Sequence, residues 1–206
     1  RNELTDAEAT VYLQVTRGAA PRKHAFPAGA PPTVYAFAAP FSNPAEKWAS
    51  GVKVITVPDQ RWARCDIKSV SLLPNVLANQ LAQEAGAHEA VLVRDGFALE
   101  GSLSNFAIVR DGVVHTAPRS NYILPGITRL VALGLCSALG LRVREFPVAE
   151  NELNCAAEAM LFGTTNEVMP VVQINGRNVG DGTPGPLTRQ LHRAFRDYVE
   201  ECRRRG

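Results

Sequence analysis

The chain has 206 residues, 46% of them hydrophobic, and sets 22 Lys+Arg against 20 Asp+Glu for a formal charge of +2. That is enough apolar material to bury one substantial core beside a smaller lobe, which argues against disorder, and the balanced charge argues against a phosphate-tracking nucleic-acid surface. No run of about 18 apolar residues reads as a membrane span, and no charged-then-apolar leader opens the chain.

The four cysteines, Cys65, Cys136, Cys155 and Cys202, lie too far apart for a CxxC or Cys/His metal site or a disulfide framework, so no metal is expected and a reducing, cytoplasmic setting fits best. The basic end at Arg203, Arg204 and Arg205 complements the dipole of a closing helix.

Residues 10–17 and 32–38 are rich in β-branched and aromatic side chains and predict two strands across a Gly/Pro/basic loop. Two prolines in the aperiodic stretch 39–46 predict a linker. The expected division is therefore the remainder of a small α/β lobe at 1–40, an interdomain linker at 41–48 and a large domain at 49–206. Beyond the linker the pattern predicts a strand at 52–57, a helix at 74–85 and a strand at 89–94 closed by Asp95-Gly96. A hairpin follows at 105–116 around Asp111-Gly112, then helices at 127–139 and 150–157 and strands at 159–163 and 170–174. The last element is a helix at 185–203, with Pro186 in its first turn. Strands and helices mixed in this way predict an α/β (α+β) domain on a mixed sheet.

Only four lysines are present, Lys23, Lys47, Lys53 and Lys68. Lys68 follows a strand and precedes an apolar turn and helix, where partial desolvation would free its amine to attack an aldehyde. The ordinary alternative is an exposed lysine at a strand end. Glu100 precedes a Gly-Ser-x-Ser-Asn turn that could hold its carboxylate inward; a solvated hairpin glutamate is the plain reading. Gly126-Ile127-Thr128-Arg129 reads as a turn feeding a helix, whose first amides carry roughly half a positive charge and make an anion seat. Thr128 would otherwise be a simple cap. Arg22 and His24, one residue apart on an extended loop, can face the same side and grip a carboxylate, or else form an exposed basic loop.

The blocks 61–75 (RWARCDIKSVSLLPN), 86–90 (GAHEA), 100–105 (EGSLSN), 124–129 (LPGITR) and 163–167 (GTTNE) occur in an order and spacing that resembles the fold-type IV pyridoxal-phosphate enzymes, on the side of the D-amino-acid transaminases. The resemblance covers residues 12–190. It implies a small lobe with a larger pseudobarrel domain, a pyridoxal 5'-phosphate cofactor and a homodimer. Lys68 would hold the cofactor as a Schiff base and carry the proton between substrate Cα and cofactor C4′. Glu100 would pair with the ring nitrogen, Leu124 would pack on the ring face, and Arg61, Ile127, Thr128 and Thr164 would form the phosphate cradle. Arg22 and His24 match an Arg-x-His pair that binds the substrate carboxylate from the neighbouring subunit.

The reaction so implied passes an amino group between a D-amino acid such as D-alanine and a 2-oxo acid such as 2-oxoglutarate. Aminodeoxychorismate lyase, a branched-chain or amine transaminase, and a non-catalytic fragment are the alternatives. Members of that family also carry an N-terminal stretch, with a phosphate-binding arginine and a substrate-side tyrosine, that has no counterpart here, so the chain is expected to enter mid-domain. Leu103 stands where the family's turn has a serine.

Overall fold

The computed structural model describes Leu4 and residues 8–205. The chain divides between Asn43 and Pro44 into two compact units.

In the first unit β1 (Ala9–Thr16) pairs antiparallel with β2 (Thr33–Pro40), from Ala9 opposite Pro40 to Thr16 opposite Thr33. Alternation puts Tyr12 over Phe37 at 5.3 Å between ring centroids, with Tyr35 edge-on to Tyr12. Val11, Leu13, Val15 and Val34 are exposed. A two-stranded sheet with apolar side chains left in water is marginal by itself.

The second unit opens with α1 (Ala45–Ser50), which begins within the stretch expected to be linker. Next come β3 (Val52–Pro58), α2 (Leu73–Glu84), β4 (Glu89–Arg94), β5 (Phe97–Gly101), β6 (Asn105–Arg110) and β7 (Val113–Thr116). After α3 (Ile127–Ala138) follow β8 (Arg142–Glu145), β9 (Val148–Ala149) and a 3-10 helix at Glu150–Cys155. The unit ends with β10 (Glu158–Gly163), β11 (Glu167–Ile174), β12 (Arg177–Asn178) and α4 (Pro186–Arg205). Among the described residues no helix is long and apolar enough to cross a membrane.

Six strands close on themselves in the order β6-β10-β11-β3-β4-β5 and back to β6, which makes the expected pseudobarrel. β3 runs parallel to both β4 and β11, and the remaining barrel pairs are antiparallel. The seam is narrow: β5 meets β6 through the pair Glu100 and Asn105. Period-two alternation sends Ala159 and Leu161 inward to Val54, Val91, Phe106, Ile108 and Met169, and turns Met160 and Phe162 outward under α3 and α4. The turns Asp95-Gly96 and Asp111-Gly112 both carry positive φ at both residues, the twist that a two-residue hairpin requires.

Four elements differ from expectation. The helix expected at 150–157 is a short 3-10 helix at Glu150–Cys155, ended by Ala156, whose extended backbone leads into β10. β11 starts at Glu167 rather than 170, since Pro170 is accommodated inside a paired strand despite its missing donor. β5 is too short and mixed to announce itself, yet it closes the barrel. In α2 the alanines face inward, Ala78 and Ala82 against Val57, Ala87, Ala90 and Leu92, while Leu73, Val76, Leu77 and Leu81 are exposed. Helical period marks a stripe but not which partner it meets.

Leu161 is fully buried in the barrel. Leu161→Ala should lower stability by about 2–5 kcal/mol, the range for a buried leucine that leaves a cavity, as read from a denaturant midpoint at unchanged slope.

Candidate active site

Glu100 sits at the barrel seam with 3% of its surface exposed. Its carboxylate accepts from Arg61 Nη1 at 2.5 Å, from Asn105 Nδ2 at 2.8 Å and from the Leu124 amide at 3.0 and 3.1 Å. Charge-assisted contacts of this kind contribute about 1.5–3 kcal/mol each. An ionised carboxylate offers about four acceptor positions, and three donors, one of them shared between both oxygens, fix its orientation. Burial pushes the Glu100 carboxyl up to about 7, against the opposing pull of Arg61 and the Leu124 amide.

Asn105 is the hub of the site and was not singled out in the sequence. Its Nδ2 donates to Glu100 and to the Leu124 carbonyl at 2.9 Å. A Cβ on Gly126 would lie 2.1 Å from Asn105 Oδ1, so only glycine lets the 124–126 turn approach this closely. Asn105 also pairs across the ladder with Phe162, two residues before Thr164. Glu100 and the turn before α3 therefore converge on the Asn105 side chain, and the Thr164 turn follows the strand paired with its backbone. Gly126 caps α3 without a side-chain hydrogen bond, which leaves the first amides of that helix open to an anion. Leu124 and Thr128 are half-buried there, while Ile127 and Thr164 are exposed.

Arg61 departs from the expected phosphate contact. Its guanidinium turns inward, gripping Asp59 with Nε at 2.9 Å and Nη2 at 3.1 Å, and its Nη2 also reaches the Tyr122 carbonyl at 3.0 Å. Two carboxylates and a carbonyl take four of its five N–H donors, and they hold it at Glu100.

Lys68 lies on the loop between β3 and α2. That loop is fastened before Lys68 by Arg61 and by the Cys65 amide donating to the Asn121 carbonyl at 2.8 Å, and beyond it by Asn75 Nδ2 donating to the Ser102 carbonyl at 2.8 Å. Both fastenings lead to the turns that frame Glu100. The Lys68 side chain itself is exposed, so the desolvated pocket expected around its amine is not formed by the described residues. Arg22 and His24 are exposed on the loop between β1 and β2, in the first unit.

A buried Glu89 supports the 101–105 turn from behind. It accepts from the Leu103 amide at 2.7 Å and from the Ser104 amide and hydroxyl, and burial raises its pKa. The backbone supplies the Leu103 contact, so the leucine in the serine's place leaves the turn intact and points its exposed side chain outward. Asp59, Glu89, Arg94 and Asn105 thus carry the site's geometry. Glu89 and Asn105 lie within the motif blocks without having been given a role, while Asp59 and Arg94 were marked only by their place beside strand ends.

These residues suit pyridoxal 5'-phosphate. A fixed, buried carboxylate matches a pyridinium N–H, an uncapped helix start matches a phosphate, and a lysine lies on the loop tied to both. The buried Ser102 hydroxyl on the same turn has no hydrogen-bond partner among the described residues.

Two outcomes test this geometry. Gly126→Ala should cost about 1–3 kcal/mol through overpacking, and the cost should shrink when Asn105→Ala removes the obstructing amide. The Glu100 carboxyl titrates near 7 when folded against an ordinary 4.5, so the folded chain binds more protons between those values and its stability falls as pH rises through that window. Glu100→Gln should flatten that slope in melts taken from pH 4.5 to 7.

The profile of the family described as Amino-transferase class IV matches residues 1–174. D-alanine aminotransferase of Bacillus licheniformis is 47% identical over 189 residues, covering 92% of this chain and 67% of that protein. The Staphylococcus haemolyticus D-alanine aminotransferase is 42% identical over 191 residues, covering 92% and 68%. Among solved structures, the Escherichia coli branched-chain amino acid aminotransferase superposes with a TM-score of 0.82 at 28% identity, over 92% of this chain and 65% of that one. A second branched-chain amino acid aminotransferase, from T.th. and solved with pyridoxamine 5'-phosphate, gives 0.84 at 28% identity, over 93% and 65%. The chain thus spans about two thirds of the length of its relatives. With the six-strand barrel, the Glu100 seam and the open start of α3 in the family's order, the chain belongs to the class IV aminotransferases, whose cofactor is pyridoxal 5'-phosphate.

Proposed function

We propose that this protein catalyses transamination between a D-amino acid such as D-alanine and a 2-oxo acid such as 2-oxoglutarate. The observation that carries the reading is Glu100, a carboxylate buried at the barrel seam and oriented by three donors. Identity of 47% to a D-alanine aminotransferase, against 28% to the branched-chain enzymes, favours the D-amino acid over the alternatives.

When bound, the cofactor supplies an electron sink for charge developing at the substrate Cα. The chain's own residues do the rest. Lys68 Nζ would hold the cofactor covalently and, when free, would take a proton from the substrate Cα and return it. Glu100 would accept a hydrogen bond from the ring nitrogen and favour its protonated form. The amides of Ile127 and Thr128, with the Thr164 hydroxyl, would hold the phosphate, and Leu124 would pack against the ring.

In this reading the working unit is a homodimer. Arg22 and His24, exposed on their loop, reach the neighbouring protomer's site and clamp the α-carboxylate. The second subunit also covers Lys68 and supplies the desolvation that one chain does not. Four unpaired cysteines suit a reducing, cytoplasmic setting.

The test is pyruvate formation from D-alanine with 2-oxoglutarate, together with the visible absorbance of the bound cofactor. Activity on D-alanine is expected, and Lys68→Ala should abolish both it and the borohydride-sensitive band. Silence toward D-amino acids alongside turnover of L-branched-chain amino acids, or a band that survives Lys68→Ala, would sink the reading.

A further inference from the structure

A buried chain of alternating charge runs from Arg94 through Asp59 and Arg61 to Glu100. The side chains of Asp59 and Arg61 are 0% and 7% exposed, so their contacts are little screened by water. Asp59 Oδ2 accepts from Arg94 Nε at 3.1 Å and lies 3.0 Å from Arg94 Nη2, which itself donates to the Arg61 carbonyl at 2.8 Å. The Arg94 guanidinium lies 4.5 Å from the Tyr122 ring centroid, and the Tyr122 carbonyl takes another Arg61 donor. Asp59 is fixed in turn by its own amide, which donates to the Val93 carbonyl at 2.7 Å.

The geometry has a directional consequence. Asp59 binds one edge of the planar Arg61 guanidinium through Nε and Nη2. With that edge held, Nη1 can point only one way, and it meets Glu100 Oε1 at 2.5 Å. A lysine ammonium has no such fork and could not transmit the orientation. Arg61 also begins the loop that carries Lys68, so the contact that aims the carboxylate anchors that loop as well. The charged groups acting on Glu100 are Arg61 and Asp59, and the nearby Cys65 thiol feels these together with Arg94.

We propose that Asp59 is a positioning residue that acts through Arg61 to set the Glu100 carboxylate for the cofactor ring nitrogen and to moor the Lys68 loop. This rests on the reading that Glu100 meets that nitrogen. The Asp59 carboxylate is taken up by Arg61 and Arg94.

The test strips the holoprotein of cofactor and refills it with pyridoxal 5'-phosphate. Asp59→Asn should weaken binding by roughly tenfold or more, the equivalent of one lost charge-assisted contact, and should shift the pH midpoint of the cofactor's visible band, with the apoprotein's melting temperature falling as a buried ion pair is broken. Arg61→Lys, which keeps the charge and loses the fork, should do the same. In a Glu100→Gln background the Asp59→Asn effect should shrink to the part carried by the loop, because the carboxylate it sets is already disabled.

Equal losses in both backgrounds, or no loss and no midpoint shift in the parent, would overturn the proposal and leave Asp59 as a brace of the fold. Should Asp59→Asn fail to fold, Arg61→Lys in the two backgrounds decides by the same criterion. A Glu100→Gln protein with unchanged affinity and midpoint would refute the role given to Glu100. Loss in Glu100→Gln without loss in Asp59→Asn or Arg61→Lys would refute only the positioning.

Discussion

The contact on which the second unit depends is the meeting of Glu100 and Asn105 at the barrel seam. Five of the six junctions in the barrel are extended ladders, and the sixth is this single pair. The side chains reinforce it: Asn105 donates to the Glu100 carboxylate and to the Leu124 carbonyl, which ties the closure of the sheet to the turn before α3. Fold and site therefore share their weakest and most constrained point. A residue that shifts the seam shifts the chemistry with it.

Burying a carboxylate at a seam is costly unless its charge is met. Here burial lifts the Glu100 titration to about 7, and Arg61, Asn105 and the Leu124 amide oppose that rise. Each donor comes from a different segment, so the charge gathers β5, β6, the Lys68 loop and the 117–126 loop around itself. Glu89 does similar work one turn away, where its buried carboxylate organises the backbone of the 103–104 turn. Two buried acids thus shape the mouth of the barrel, one facing the ring nitrogen in our reading and one only holding the loop.

The surfaces complement this interior. Lys68 is exposed, and so are Leu73, Val76, Leu77 and Leu81 on α2 and Ile127 and Leu130 at the start of α3. Apolar side chains of that size in water are costly and mark surfaces that seek cover. The proposed dimer meets both needs at once, since a covering subunit would bury apolar area and lower the dielectric around an amine that must lose its charge.

Much was legible in the residues alone. The strands around Asp95-Gly96 and Asp111-Gly112 were legible because left-handed turns restrict residue type, and α4 because its apolar period is long and begins at a proline. The order of the motif blocks pointed to the family, and Glu100 and Gly126 were marked by turns that few sequences satisfy. The inward face of α2, the barrel closure by the short β5, the hub at Asn105 and the turn of Arg61 away from an anion and onto Glu100 were decided only by tertiary structure. Each depends on which partner a side chain meets across the sheet, and that is set by long-range pairing rather than by neighbours in sequence. Local pattern determines what a segment can be, while the charge balance inside a closed barrel determines which of its polar groups face one another.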